Sequence, residues 1–167
     1  NSAVFLANTA GAIMDITGFN VTIGSLSGGG TTGGNVTLGA ATLTLGGNNE
    51  HSIYGGVISG AGGVLTKTGS GVLTLTGTST FTGGTNLNSG YINVNSTAAL
   101  GASAAGVTFG GGTLQWSAGS TNNAYDISSH TLTFTSNALF DTNGNQVTLA
   151  NSVGNAGAGG LTKLGQG

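Results

Sequence analysis

Short runs of alternating apolar and polar residues recur along the chain, and no stretch shows a helical period. In each run two aliphatic or aromatic residues flank one small polar residue, as in Val21-Thr22-Ile23, Leu73-Thr74-Leu75 and Val107-Thr108-Phe109. Such alternation places apolar side chains on one face of a β-strand and Thr or Asn on the other. Gly or Asn separates successive runs, as in turns. The pattern predicts an all-β protein with almost no helix.

The runs are regularly spaced, which favours stacked turns of chain. Two interleaved series advance by about 20 residues per step, and we expect each to form one stacked row. The first series is Ile13, Val36, Ile53, Leu73, Ile92, Leu114, Leu132 and Val153, and the second is Val21, Leu43, Val64, Leu87, Val107, Ile127, Val147 and Leu161. We therefore expect residues 1–167 to form one segment of a right-handed parallel β-helix, a β-solenoid of about eight rungs.

A β-sandwich of hairpins is the competing architecture. Tight hairpins favour Asn-Gly or Asp-Gly turns, and only Asn143-Gly144 qualifies. The composition also favours the solenoid, because only 4% of residues are charged, against about 25% in ordinary soluble domains. Stacked turns place equivalent positions above one another, where like charges would repel and Thr or Asn ladders can hydrogen-bond.

Composition also excludes several partners. The chain has 35 Gly, no Pro and no Cys, yet 37% of its residues are hydrophobic, which is enough apolar surface for folding. A net charge of −2 with two cationic side chains argues against nucleic-acid binding, which needs basic clusters. No run approaches the ~18–20 apolar residues of a transmembrane helix, so we expect no membrane insertion by this segment.

A longer repeat is visible by direct comparison of the chain with itself. Residues 63–71 recur at 159–167, and both lysines fall at the same place, 96 residues apart. The first copy continues as far as residue 94. The positions that define the pattern are Gly63, Leu65, Lys67, Gly69, Gly71, Leu73, Leu75, Gly77, Phe81, Gly83, Gly84, Gly90, Ile92 and Val94, with Leu161, Lys163, Gly165 and Gly167 in the second copy.

Residues 62–94 resemble the autotransporter-associated β-strand repeat, also called the passenger-associated transport repeat, and 159–167 resemble a truncated second copy. One departure is Ser79-Thr80-Phe81, where the family more often has Asn-Thr-Tyr. The resemblance implies a β-helical passenger segment of a large secreted or surface-anchored bacterial protein, with a part in export and stalk building. The lack of Cys fits this setting, because a disulfide formed in the periplasm would hinder translocation of an unfolded chain.

The two lysines are the first candidates for chemistry. Lys67 and Lys163 could bind an acidic sugar or a lipid headgroup. The favoured interpretation is that a lysine at a strand end keeps the rod soluble and discourages edge-to-edge pairing.

A serine-hydrolase site has little support. His51 follows Glu50, and His130 lies four residues after Asp126, but Gly69-Ser70-Gly71 is a turn of the repeat and not a nucleophile motif. We expect no catalytic residue.

Glycosidase, metal and dinucleotide sites are also disfavoured. Hydrolysis of polysaccharides uses paired carboxylates, and Asp126 and Asp141 are the pair that stacking could bring together. Two histidines without Cys give no metal-ligand spacing. The glycines of 28–33 satisfy a G-x-G-x-x-G pattern, but a strand follows them where a dinucleotide site needs a helix. We predict no metal and no cofactor.

The aromatic side chains are expected inside the coil or over its turns. An exposed Trp116–Tyr125 pair would instead be able to hold a sugar ring.

These observations predict an extracellular structural stalk or fibre module of the bacterial cell surface, without enzymatic activity. The alternatives are an adhesin that binds glycan or a host surface, a polysaccharide-acting enzyme, and an ice-binding protein, the last raised by Thr-x-Thr at 42–44, 74–76 and 131–133. Neither the apolar start at 3–6 nor the end within the repeat resembles a cap. We therefore expect either a longer chain of such repeats or end-to-end stacking of copies into filaments.

Overall fold

The chain folds as a stack of parallel strands, as seen in a computed structural model that describes residues 1–119, 126–153 and 157–167. Three sheets run along the stack. The eight-stranded sheet contains β1 (Ala3–Leu6), β4 (Ser25–Gly28), β7 (Ser52–Tyr54), β10 (Val72–Leu75), β12 (Tyr91–Val94), β14 (Thr113–Trp116), β16 (Ala138–Asp141) and β17 (Leu161–Leu164). The six-stranded sheet contains β3 (Val21–Thr22), β6 (Thr42–Leu45), β9 (Val64–Lys67), β11 (Gly84–Leu87), β13 (Val107–Phe109) and β15 (Leu132–Phe134). The three-stranded sheet contains β2 (Ile13–Asp15), β5 (Asn35–Thr37) and β8 (Ile58–Ser59).

The order of the strands confirms the solenoid. The chain passes through the eight-stranded, three-stranded and six-stranded sheets in turn and then begins the next turn, so neighbours in each sheet come from successive turns. The pairings between these strands are parallel. The eight strands of the longest sheet correspond to about seven turns.

The prediction of two strand series was only partly correct, because the coil has three sheets. Leu73, Ile92 and Leu114 are register partners as expected. Ile53, however, pairs with Thr74 and is 64% exposed, since the inward position of β7 is Tyr54. Leu132 lies in the six-stranded sheet opposite Val107. The turns differ in length by several residues. A series with a fixed step of 20 residues therefore includes residues from different sheets.

Aliphatic residues of the alternating runs form a buried core. Seven of them are at most 2% exposed: Leu38, Leu45, Leu65, Leu73, Leu75, Ile92 and Val94. Several of their neighbours in register are apolar, as is Leu43 beside Leu65, whereas Lys67, Thr85 and Ser52 lie beside Leu45, Leu65 and Leu73. Burial of such side chains is the main stabilising contribution, worth about 1.5–3 kcal/mol each.

The three-stranded sheet is not continued after β8, and other elements take its place. In the next turn Thr80 still donates from its backbone N–H to the carbonyl of Ile58, at 2.8 Å, and the Phe81 ring fills the core. In the turn after that a 3-10 helix, Thr97–Leu100, buries Ala99 and Leu100. This helix and Ile127–Ser129 are the helical elements of the described residues, so the expectation of almost no helix is confirmed there.

Corner side chains connect successive turns. Asn20 and Asn35 accept at Oδ1 from the backbone N–H groups of Thr42 and Val57 in the following turn, at 2.8 and 3.0 Å. An unpaired buried N–H would cost as much as a lost hydrogen bond. These asparagines therefore satisfy the backbone where the strands end and the sheet ladder stops.

Candidate functional sites along the solenoid

The repeat at 62–94 forms β9, a corner, β10, β11 and β12, which is slightly more than one turn. Its apolar positions Leu65, Leu73, Leu75, Phe81, Ile92 and Val94 all point into the core. Its glycines build the corners. Gly69 has a φ of +67°, a left-handed conformation that strongly favours glycine. Positive φ values also occur at Gly84, Gly90, Gly165 and Gly167, whereas Gly63, Gly71, Gly77 and Gly83 lie against backbone or side-chain atoms of the preceding turn.

Lys67 is buried, so the prediction that it keeps the rod soluble was wrong. It is 1% exposed and stands in an inward-facing row between Leu45 and Leu87. Its Nζ donates to the carbonyl oxygens of Thr68 at 2.6 Å and Gly69 at 3.1 Å. The alternation of Leu65 and Lys67 was the sequence signal for this, because residues two apart on a strand share a face.

The environment of the Lys67 ammonium is unusual. Burial lowers the pKa of Lys67 from 10.5 to about 8, because a charged amine loses its water. Space for the ammonium comes from two glycines in the neighbouring turns. A Cβ at Gly46 would lie 3.0 Å from Nζ, and a Cβ at Gly90 would lie 2.9 Å from it. The site is an internal ammonium site with no access for an acidic ligand.

Lys163 makes the same local contact in a different setting. Its Nζ donates to the carbonyl of Gly165 at 2.8 Å, as Lys67 does to Gly69, and Gly165 has a φ of +71°. The side chain is exposed, and β17 lies in the eight-stranded sheet, where Lys163 is the register partner of Phe140. The two copies of the motif thus occupy different sheets.

The residues considered for a catalytic triad make hydrogen bonds to the backbone and to side chains of neighbouring turns. His51 accepts at Nδ1 from the backbone N–H of Val72 at 3.3 Å. The Glu50 carboxylate accepts from Asn48 Nδ2 at 2.7 Å and from Ser25 Oγ at 3.2 Å. This Ser25–Asn48–Glu50 cluster was not foreseen, since its members come from two turns.

The second histidine and the two aspartates are engaged separately. His130 is buried, with Nδ1 2.8 Å from the carbonyl of Ala105, so Nδ1 carries the proton in this contact. Asp126 caps a 3-10 helix, accepting from the backbone N–H of Ser128 at 2.8 Å. Asp141 accepts from Gln115 Nε2 at 2.8 Å. Asp126 and Asp141 thus have different hydrogen-bond partners, and no acid–base pair is formed by the contacts of these two carboxylates.

Ladders of mostly uncharged polar side chains follow the outer faces of the two larger sheets, and Asp141 is the charged member. On the eight-stranded sheet, Asn93 donates to Gln115 at 2.7 Å, and Gln115 donates to Asp141. On the six-stranded sheet one column of register partners is hydroxyl or amide throughout: Thr22, Thr44, Thr66, Asn86, Thr108 and Thr133.

The Thr-x-Thr pairs do not form a continuous double column. Those at 42–44 and 131–133 lie on the six-stranded sheet, four strands apart, whereas the pair at 74–76 begins in the eight-stranded sheet. Between the first two pairs, the positions in register with Thr42 are Val64 and Gly84. An extended two-column threonine array is therefore interrupted.

The aromatic side chains form a stack inside the later turns. Phe109, Phe134, Phe140 and Trp116 contact one another with ring centroids 5.2–6.3 Å apart. Trp116 is fully buried, so the proposed exposed sugar platform is wrong at this residue, and Tyr125 lies outside the described residues. A cavity of about 220 Å³ adjoins this stack at the C-terminal end of the coil, bounded by Trp116, Phe140, Thr142, Val147, Leu149, Leu161, Lys163 and Gly167.

The described ranges also bear on dinucleotide, metal and membrane-spanning sites. The glycines of 28–33 connect β4 to β5 without a helix, as expected for a turn. Residues 1–119, 126–153 and 157–167 contain no group of three or more His, Cys, Asp or Glu side chains placed to hold a metal ion. No helix in these ranges is long and apolar enough to span a bilayer.

Comparison with known proteins supports the resemblance carried by the repeat. The family model of the passenger-associated transport repeat matches residues 65–94. The adhesin BmaC autotransporter of Brucella suis biovar 1 (strain 1330) is 48% identical over 89 residues, which is 52% of this chain and 3% of that protein. No solved structure gives a match. Residues 65–94 therefore match the passenger-associated transport repeat, and they form part of a parallel β-solenoid.

Proposed function

We propose that this chain is a structural stalk module in the passenger of a bacterial surface or secreted protein, located outside the cell. The observation that carries the proposal is the continuous stack: eight strands in one sheet give a rigid rod roughly 35 Å long, at ~4.8 Å per strand. The match to a passenger repeat supports the extracellular location. A rod of this kind sets a distance between whatever lies at its two ends.

The absence of enzymatic activity belongs to the same proposal. The charged and imidazole groups described above are occupied by backbone and amide partners, and the chain has no Arg. We predict that polygalacturonate, alginate, ester and peptide substrates show no turnover above buffer. Turnover that disappeared in both Asp126→Asn and His130→Gln, measured on variants with unchanged unfolding midpoints, would contradict this.

A second function, adhesion, is favoured by the name of the similar Brucella protein, which is called an adhesin. The chain covers only 3% of that protein, so the adhesive part need not be this segment. Exposed apolar side chains at Phe5, Ile13, Phe19 and Ile53 offer contact area for a host surface or glycan.

A binding assay separates the two functions. Beads coated with the purified chain are applied to a glycan array and to host cells, with bovine albumin beads as the control. A stalk gives no binding above the control. Saturable binding that Phe5→Ser and Ile53→Ser abolish, and that Thr66→Ala retains, would make adhesion the function of this segment.

Self-association is also proposed. The first and last strands of the eight-stranded sheet, β1 and β17, each pair on one side only, and the partner proposed for them is a further turn of the same kind, from the same chain or from a second copy. Nucleic acid is not proposed as a partner, because the described cationic side chains are one buried and one carbonyl-bound lysine.

A further inference from the structure

Two strands of the repeat are nearly the same peptide, yet they lie in different sheets. Residues 63–69 read Gly-Val-Leu-Thr-Lys-Thr-Gly, and residues 71–77 read Gly-Val-Leu-Thr-Leu-Thr-Gly. They differ at one position, Lys67 against Leu75. The first peptide contains β9 of the six-stranded sheet, and the second contains β10 of the eight-stranded sheet.

Apart from Lys67 and Leu75, the residues of these peptides do not distinguish the position of β9 in the six-stranded sheet from that of β10 in the eight-stranded sheet. Both present an inward Leu, at 65 and 73, and an outward Thr, at 66 and 74. A shift of the chain by eight residues would therefore place 72–75 opposite β6 with the same apolar face inward. The shift would lengthen the turn between Thr44 and its partner from 22 residues to 30, whereas register partners in the eight-stranded sheet are 19 to 26 residues apart, so a corner would have to hold the additional residues.

Only the β9 position is built for a lysine. There the Lys67 ammonium has two carbonyl acceptors, and Gly46 and Gly90 leave the space around it open. In the row of Leu75 the preceding residue is Tyr54, which is fully buried and donates from its hydroxyl to the Gly34 carbonyl at 2.7 Å. In the shift that places 72–75 opposite β6, Lys67 leaves β9 and its ammonium loses this enclosure. In the opposite shift, with 64–67 in the place of β10, the ammonium would meet the ring of Tyr54.

We propose that Lys67 is the register mark of the repeat: its internal ammonium site selects which of two otherwise equal strands enters the six-stranded sheet. A buried charge contributes little net stability, since its desolvation offsets its hydrogen bonds, but a misplaced one is costly. The single buried polar residue that fixes register in coiled coils follows the same logic. The charge of Lys67 thus acts against the shifted arrangement more than in favour of the native one.

The exposed copy of the motif is consistent with this role. Lys163 keeps the local contact to Gly165, but its side chain is exposed and β17 lies in the eight-stranded sheet. The contact from the lysine ammonium to the carbonyl two residues later is therefore local and common to both copies. Lys67 differs from Lys163 because glycines of both neighbouring turns enclose its ammonium. Lys163→Leu is accordingly a matched control.

Engineered cysteines report the register directly, because the chain has no cysteine of its own. Thr44 and Thr66 are register partners on the outer face of the six-stranded sheet, about 4.8 Å apart between adjacent strands, which a disulfide can span. After an eight-residue shift Thr74 would replace Thr66 opposite Thr44. The Cys pair at 44 and 66 reads the native register, and the pair at 44 and 74 reads the shifted one.

The experiment oxidises both cysteine pairs at low concentration in three backgrounds and measures the monomeric crosslinked product by mass spectrometry. With Lys67, and with Lys163→Leu, we expect the 44–66 crosslink alone. In Lys67→Leu, where 63–69 and 71–77 become identical, we expect the 44–74 crosslink to rise at least tenfold. Lys67→Leu that gives the 44–66 crosslink alone, or that gives neither, would overturn the proposal: the lysine would then be irrelevant to register or needed for folding itself.

Discussion

A leucine on the inner face of a strand contributes most of its stability by leaving water. Leu73 is fully buried between Ser52 and Ile92 in register, whereas Thr74 faces outward on the same strand. Leu73→Ala removes buried methyl groups and leaves a cavity, so it should destabilise the protein by roughly 2–5 kcal/mol. The midpoint of urea unfolding should fall clearly, while that of Thr74→Ala should change little. Equal shifts in the two variants would place Leu73 outside the core.

Lys67 makes stability depend on pH in the alkaline range. Its pKa is about 8 in the folded chain and close to 10.5 when unfolded, so between these values only the unfolded chain holds the proton. Raising the pH from 8 towards 10.5 therefore stabilises the folded state through this residue. Burial also raises the pKa of Tyr54, which acts in the opposite direction once unfolded tyrosine ionises near pH 10.

The comparison with Lys67→Met isolates the lysine. We expect the thermal midpoint of the native chain to rise relative to that of Lys67→Met as the pH goes from 7.5 to 9.5, because Tyr54 is common to both. A difference that stays constant over this interval would mean that the Lys67 ammonium is effectively hydrated.

At the scale of the element, the corner between β9 and β10 depends on Gly69. An Ala at its φ of +67° would be strained by about 1–2 kcal/mol, and its Cβ would also meet the carbonyl of Gly46 in the preceding turn. Gly69→Ala should therefore lower the unfolding midpoint more than Ser70→Ala, whose side chain is exposed in the same corner. A corner that tolerates both changes equally would not require a left-handed residue at 69.

The strands themselves were predictable from sequence, because the alternation in peptides such as 72–75 is a local property. Their assignment to sheets was not. A period of 20 placed Ile53 in the core, although Tyr54 fills that position and leaves Ile53 exposed. The sites formed between turns were also out of reach, since the acceptors of Asn20 and Asn35 meet donors 22 residues away in sequence. Lys67 was predicted to be exposed because it is charged, although its position two residues after Leu65 indicates the inward face of the strand.

At the scale of the whole molecule, the outer face of the six-stranded sheet differs from the ends of the stack. Its outer column is half-buried hydroxyl and amide from Thr44 to Thr133, Thr22 at one end is exposed, and no member of the column is charged. Burial inside the coil is therefore the main source of cohesion between turns. The ends differ from the sides, because there the inward faces of the outermost strands have a neighbour in one direction only.

We predict that the isolated 167-residue chain associates end to end through the edge strands of the eight-stranded sheet. Among residues 1–119, 126–153 and 157–167, β1 pairs with β4 alone and β17 with β16 alone, so each has a row of backbone donors and acceptors without a strand partner on one side. Beside β17 lies the cavity of about 220 Å³ that Trp116 and Phe140 help to bound, and on β1 the inward residues Val4 and Leu6 are only partly buried. Stacking one copy on another would cover both surfaces and continue the ladder, which generates an open filament.

Sedimentation velocity over a hundredfold range of concentration tests this association. The sedimentation coefficient should rise with concentration for the native chain and remain that of a monomer for Val4→Lys/Leu6→Lys, because two charges at the edge strand would have to be desolvated in the stack. Amide exchange should be fastest in β1 and β17 at low concentration and should slow in both as association proceeds. A native chain that stays monomeric at high concentration, with fast exchange confined to its central strands, would contradict open-ended stacking.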